Sequence, residues 1–238
     1  MKLSQESYLS ELKSKLSKMS ELRDHLSLND FKGVFTISRD TFGKLNLQEI
    51  TDNVRLKGST ILSEKQALDL IKLCQFSPED KWRLLYRGSS NGFRARDFHS
   101  NCDDIPHTLT IIKALGTNYI FGGFAEASWT SSHGYKSDPK AFLFSLTNKD
   151  EQPIRIPVDP SRSDYSLYMH DNFGPVFGTQ NANDLLVADN GHLSKSNASD
   201  LGGNFKHPKY EFRSVEAQSF LAGSAKFQLS EIEVFTRD

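Results

Sequence analysis

Gly88-Ser89-Ser90-Asn91-Gly92 spells G-x-S-x-G, the pattern of a nucleophile elbow. In that chemistry a strained turn between a strand and a helix exposes a serine hydroxyl, and a histidine and a carboxylate farther along activate it. The local context agrees, because Trp82-Arg83-Leu84-Leu85-Tyr86 reads as a strand before the turn and Phe93 to Asn101 as a short helix after it. Aspartates and histidines downstream supply the remaining residue types. Against this, the pattern is short and made of common turn residues, and no HGGG-like oxyanion segment precedes it. The strands around it read as antiparallel, whereas the elbow belongs to a largely parallel sheet. A plain turn is the expectation at Ser90, and a serine hydrolase is the alternative.

Other catalytic patterns are weaker. A P-loop needs Lys after its last glycine, and Gly92 is followed by Phe93. Gly122 and Gly123 sit inside a strand pattern with no helix following, which fits close backbone approach and not a dinucleotide fingerprint. No cofactor is expected. His99 and Cys102 share a helical face beside Asp103 and Asp104. A structural zinc site needs about four ligands, so no metal site is expected there. Cys102 carries a redox role only if its thiol pKa is low. Glu126 and Trp129 form an acidic-aromatic pair past a strand end, the composition of a docking point, since tryptophan anchors interfaces disproportionately. The same tryptophan also suits an aromatic plug.

These residues need a scaffold. Thr108 to Lys113 and Tyr119 to Phe124 bracket a short Gly- and Asn-containing segment, the signature of an antiparallel hairpin. Further strands are read at Ala141 to Leu146, Ile154 to Val158, Asp184 to Ala188 and Phe227 to Phe235. In the last of these the alternation slips by one residue, which predicts a bulge near Ser230-Glu231. Ser63 and Gln66 form a capping box, and Ala67, Leu70, Ile71 and Cys74 follow it on one helical face. Cys74 is therefore a core residue. Strands without regularly interleaved long helices give an α+β, mainly β chain.

Residues 1–56 form an N-terminal helix and connector, and residues 57–238 the main domain. Leu9, Leu12, Leu16, Met19, Leu22 and Leu26 make one apolar stripe, a surface for packing or self-association. The formal net charge is -1 and no basic face is concentrated, so nucleic acid is not an expected partner. The N-terminus has no apolar signal core, and no apolar run is long enough for an integral membrane segment. Only two cysteines occur, so a disulfide framework is not expected and a cytoplasmic location is. The Asn197-Ala198-Ser199 sequon is then accidental.

Read in order, the segments form a more specific pattern. GSTILSEKQALDLIKLC, WRLLYRGSSNGFRARDFHSNCDD, TLTIIK, YIFGGFAEASW, AFLFSL and EAQSFLAGSAKFQLSEIEVF together resemble TLDc domains. They are most similar to the divergent protist and invertebrate branch of the oxidation-resistance protein family. The resemblance covers about Lys57 to Asp238. It implies a two-sheet antiparallel β-sandwich flanked by short helices, here preceded by an N-terminal helical segment. It further implies a non-enzymatic protein-interaction module, linked to oxidative-stress protection and to regulation of the vacuolar proton-pumping ATPase (V-ATPase), whose subunits become the implied partners. No catalytic residue accompanies it. In similar sequences the slot of Ser90 commonly carries other residues.

Overall fold

Helix α1 (Glu64–Leu73) starts where its cap is built. Ser63 Oγ accepts the Gln66 N–H at 3.3 Å, and Gln66 Oε1 accepts the Ser63 N–H at 3.0 Å. Two amides that would otherwise be orphaned are thereby satisfied. The buried face of α1 carries Ala67, Leu70 and Ile71, and Cys74 follows it into the same apolar cluster. The computed structural model describes residues 56–237 apart from Pro78, Gln180 and Asn181. The expected stripe from Leu9 to Leu26 and the connector after it lie outside the described residues.

Two antiparallel sheets of six strands each make up the rest. Across the first run β1 (Trp82–Arg87), β12 (Leu229–Arg237), β2 (Thr108–Ala114), β3 (Ile120–Ala125), β5 (Phe142–Thr147) and β6 (Ile154–Pro157). Across the second run β11 (Lys226–Phe227), β10 (Asn197–Ala198), β9 (Ala182–Ala188), β8 (Phe173–Thr179), β7 (Leu167–Met169) and β4 (Gly134–Lys136). The hairpin read from sequence is β2–β3, with Thr108 opposite Ala125 and Lys113 opposite Ile120. The expected bulge appears as a register shift between Leu229 and Glu231.

The first sheet is covered on both faces, which explains its nearly continuous apolar strands. Ile112, Phe121, Leu143 and Val234 face the second sheet, in a core shared with Leu167, Phe177 and Leu185. Leu109, Ile111, Phe124, Phe142 and Phe144 face the other way, in a second core closed by α1. Gly123 points into the space between the sheets, and a Cβ there would stand 2.6 Å from Phe177 Cζ. The glycine lets one sheet's backbone meet the other's aromatic ring, as close approach in a strand requires.

Short helices sit at the sandwich margins: α2 (Gly88–Asn91), α3 (Ala95–Cys102) and α4 (Val215–Phe220), with a 3-10 turn at Pro160–Tyr165. On α3, Ala95, Phe98 and Cys102 are buried as their spacing predicts, and His99 joins them. Strands β4, β7, β8 and β10 escaped the sequence reading. Three of them are only two or three residues long. The fourth, β8, contains Gly174-Pro175, where the register with β9 breaks between Phe173 and Val176. Proline cannot donate to a ladder, so it sits at such irregularities and hides the strand pattern.

Candidate interaction face

The segment after β3 is shaped by a buried carboxylate. Asp138 Oδ2 accepts the backbone N–H of Glu126 at 2.7 Å and of Ala127 at 3.0 Å, and its Oδ1 accepts that of Lys140 at 3.1 Å. This clamp turns the chain so that Trp129 enters the core, where it is 1% exposed. Its ring packs edge-on against Phe98 at 5.8 Å and Phe177 at 5.4 Å, between ring centroids. Its Nε1–H donates to Thr108 Oγ1 at 2.9 Å, so the one polar atom of the indole is satisfied. Of the acidic-aromatic pair, Glu126 is the member that reaches solvent, and it pairs with Lys140 Nζ at 2.8 Å. Trp129 holds the loop from beneath.

Exposed aromatic surface lies along the nearby edge of the second sheet. Tyr135 on β4 and Tyr165 before β7 are 41% and 50% exposed. Their rings meet edge-on at 5.2 Å, and Tyr168 lies 5.2 Å from Tyr135. Tyrosine offers large contact area with few rotatable bonds and a polar tip, which suits an interface. Sequence reasoning missed these residues because β4 and β7 are too short to show a period. Beside them His133, His170 and Asp171 gather from two segments, a cluster with no local spacing to announce it.

Ser90 has a different setting from an elbow serine. It lies on the four-residue helix α2, directly after β1, which runs antiparallel to β12. The turn is held by its neighbours: Asn91 Oδ1 accepts the Arg87 N–H at 2.9 Å, and the Tyr86 hydroxyl donates to the Gly92 carbonyl at 2.7 Å. Among the described residues no histidine or carboxylate is hydrogen-bonded to Ser90 Oγ. A serine, an aspartate and a histidine do line up elsewhere, at Ser131, Asp103 and His99. There Ser131 Oγ donates to Asp103 Oδ2 at 2.7 Å and His99 Nδ1 meets Asp103 Oδ1 at 2.7 Å. The carboxylate stands between the other two, so the imidazole does not face the hydroxyl it would have to deprotonate.

Both thiols are buried. Burial pushes the Cys102 thiol up, well above the usual thiol range, and the neighbouring Asp103 charge adds to it. Burial likewise raises Cys74. A redox role through Cys102 would need the opposite shift, a lowered pKa and access. His99 Nε2 is also engaged, at 2.9 Å from the Phe173 carbonyl and 3.1 Å from that of His170. Asn197 of the sequon is buried, its side-chain amide donating to the carbonyls of Gly191 and Phe227 at 2.8 and 3.0 Å.

A model of the TLDc domain matches residues 56–238. The chain belongs to the TLDc family. A TLDc-containing relative, the "MTOR-associated protein MEAK7" of Xenopus laevis, is 31% identical over 72 residues. That stretch covers 30% of this chain and 15% of the relative. Among the described residues, no helix of this TLDc protein is long and apolar enough to cross a membrane.

Proposed function

We propose that this TLDc protein is a non-enzymatic regulatory module that binds a protein partner along the edge formed by residues 126–133, Tyr135 and Tyr165. The observation that carries this reading is the TLDc match over residues 56–238. A relative whose name records an association with mTOR supports it, as does the setting of Ser90, where no base among the described residues is hydrogen-bonded to the hydroxyl. The partner we favour is a subunit of the V-ATPase, with regulation of that pump in the cytoplasm as the activity and oxidative-stress protection as its consequence. Glu126 contributes a charged contact at the rim, and Trp129 acts through the loop it anchors. The apolar stripe of residues 9–26 adds self-association.

The test is affinity capture from native lysate with the full chain, comparing the wild type with Glu126→Ala/Tyr165→Ala. The wild type retains proton-pump subunits, and the double variant retains about tenfold less, the loss expected when an aromatic anchor such as Tyr165 is truncated together with a rim charge. Pump subunits missing from the wild-type capture refute the choice of partner. Labelling of the wild type by a fluorophosphonate probe, abolished in Ser90→Ala, refutes the non-enzymatic reading.

A further inference from the structure

We infer that His133, His170 and Asp171 form a binding site for a zinc-class divalent metal ion, which clips β4 to β7. The register places the two imidazoles together. Gly134 pairs with Met169 and Tyr135 with Tyr168, so one further step sets His133 opposite His170 at the end of the ladder. Their rings stack with centroids 4.2 Å apart, and Asp171 follows His170 directly. Asp171 Oδ1 lies 3.1 Å from His133 Nε2 and 3.2 Å from His170 Nδ1, and all three ligand atoms fall within 4.8 Å of one another. Metal–ligand bonds of about 2.0–2.1 Å in a tetrahedron put ligand atoms about 3.3 Å apart. Two edges of the triangle are thus already near that length.

The ligand atoms of the cluster already converge on one another. His170 Nδ1 accepts the Asn172 backbone N–H at 3.1 Å, which requires a lone pair on that nitrogen. The same nitrogen lies 3.2 Å from Asp171 Oδ1, which also stands 3.1 Å from His133 Nε2. A metal ion bound at His170 Nδ1 takes that lone pair in place of the Asn172 N–H, which at an exposed residue can turn to water. The backbone under the site is fixed, because the His170 carbonyl receives His99 Nε2 at 3.1 Å and the Phe173 N–H at 3.1 Å. His133 and Asp171 have side chains 62% and 53% exposed, so small rotations can complete the coordination.

The donor set selects the ion. Two imidazoles and one carboxylate suit zinc and its transition-metal neighbours, whereas magnesium and calcium prefer oxygen alone. Three protein ligands leave a fourth position for water or for a ligand brought by a partner. The site stands beside Tyr135, so the metal would set the shape of the edge on which docking is proposed, but its occupancy does not depend on that proposal.

Isothermal titration of zinc chloride into the chelator-treated full chain tests the inference directly. One site saturating at micromolar zinc is expected, at least tenfold weaker in both His133→Ala and His170→Ala and unchanged in His192→Ala. Zinc is also expected to raise the melting temperature of the wild type and not of His133→Ala, since a ligand bound only by the folded state stabilises it. Cobalt substitution should give the intense visible bands of a four-coordinate ion. The exposed His133 side chain can be removed without disturbing the core, so a folded His133→Ala chain that binds zinc like the wild type overturns the assignment. Absence of saturable zinc binding, or equal uptake of magnesium and calcium, overturns it as well.

Discussion

At the scale of single residues, buried carboxylates act as structural clamps. Asp184 is fully buried and accepts backbone N–H groups from Gly202, Gly203, Asn204 and Phe205 at 2.8, 2.9, 2.7 and 3.3 Å. Each amide left unpaired in a buried site costs about 1–3 kcal/mol, partly recovered if water enters. Asp184→Ala should therefore destabilise the domain by at least about 3 kcal/mol, read as a lowered urea midpoint. The cysteines give a second residue-scale prediction. Because Cys74 and Cys102 are the chain's two thiols and both are raised by burial, an aromatic disulfide reagent should modify neither in the native state. Both should react once denaturant unfolds the domain, at a rate that follows the unfolding signal. A Cys102 that reacts in the native state would restore the redox reading.

At the scale of elements, the contact between sheets depends on a missing side chain. Gly123→Ala would set a methyl group against the Phe177 ring and force the sheets apart, a strain of about 1–3 kcal/mol by the usual cost of overpacking. Phe177→Leu frees that space, so the double variant should be more stable than the sum of the two single losses predicts, as contacting sites are not additive. Thermal melts of the four proteins check this. The glycine's role was legible beforehand, since a glycine pair in an apolar strand announces close approach. So were the capping box at Ser63, the hairpin β2–β3 and the bulge before Ile232, each of which is encoded locally. Strands of two or three residues were not, because they owe their conformation to partners distant in sequence. The edge carrying Tyr135, Tyr165 and the histidine pair is made of such strands, and so it stayed hidden. Trp129 shows the complementary difficulty: its type suits an interface or a core equally, and only the Asp138 clamp settles its direction.

At the scale of the whole molecule, closure of the first sheet joins distant parts of the chain. Strand β12 lies between β1 and β2, with Trp82 opposite Arg237 and Thr108 opposite Thr236. Its Glu233 is fully buried, accepting from Arg87 Nε at 2.9 Å, Ser59 Oγ at 2.5 Å and the Thr60 N–H at 2.7 Å. The carboxylate thus ties the approach to α1 and the edge strand β1 onto a strand 174 and 146 residues farther along, counted from Ser59 and Arg87. Breaking such a pair from one side leaves an uncompensated buried charge, which costs about 3–5 kcal/mol. Arg87→Ala should lose about that much, and Glu233→Gln less, because a neutral amide still accepts from Ser59 and Thr60. Contacts this distant in sequence also make folding slow, since loop closure must precede the interactions that reward it. A chain ending at Gln228 lacks the strand between β1 and β2 and should show neither the cooperative melt nor the near-ultraviolet dichroism of the full chain. If it kept both, β1 would have to be held by α1 and α2 alone, and the central place given to β12 in the stability of the sandwich would be wrong.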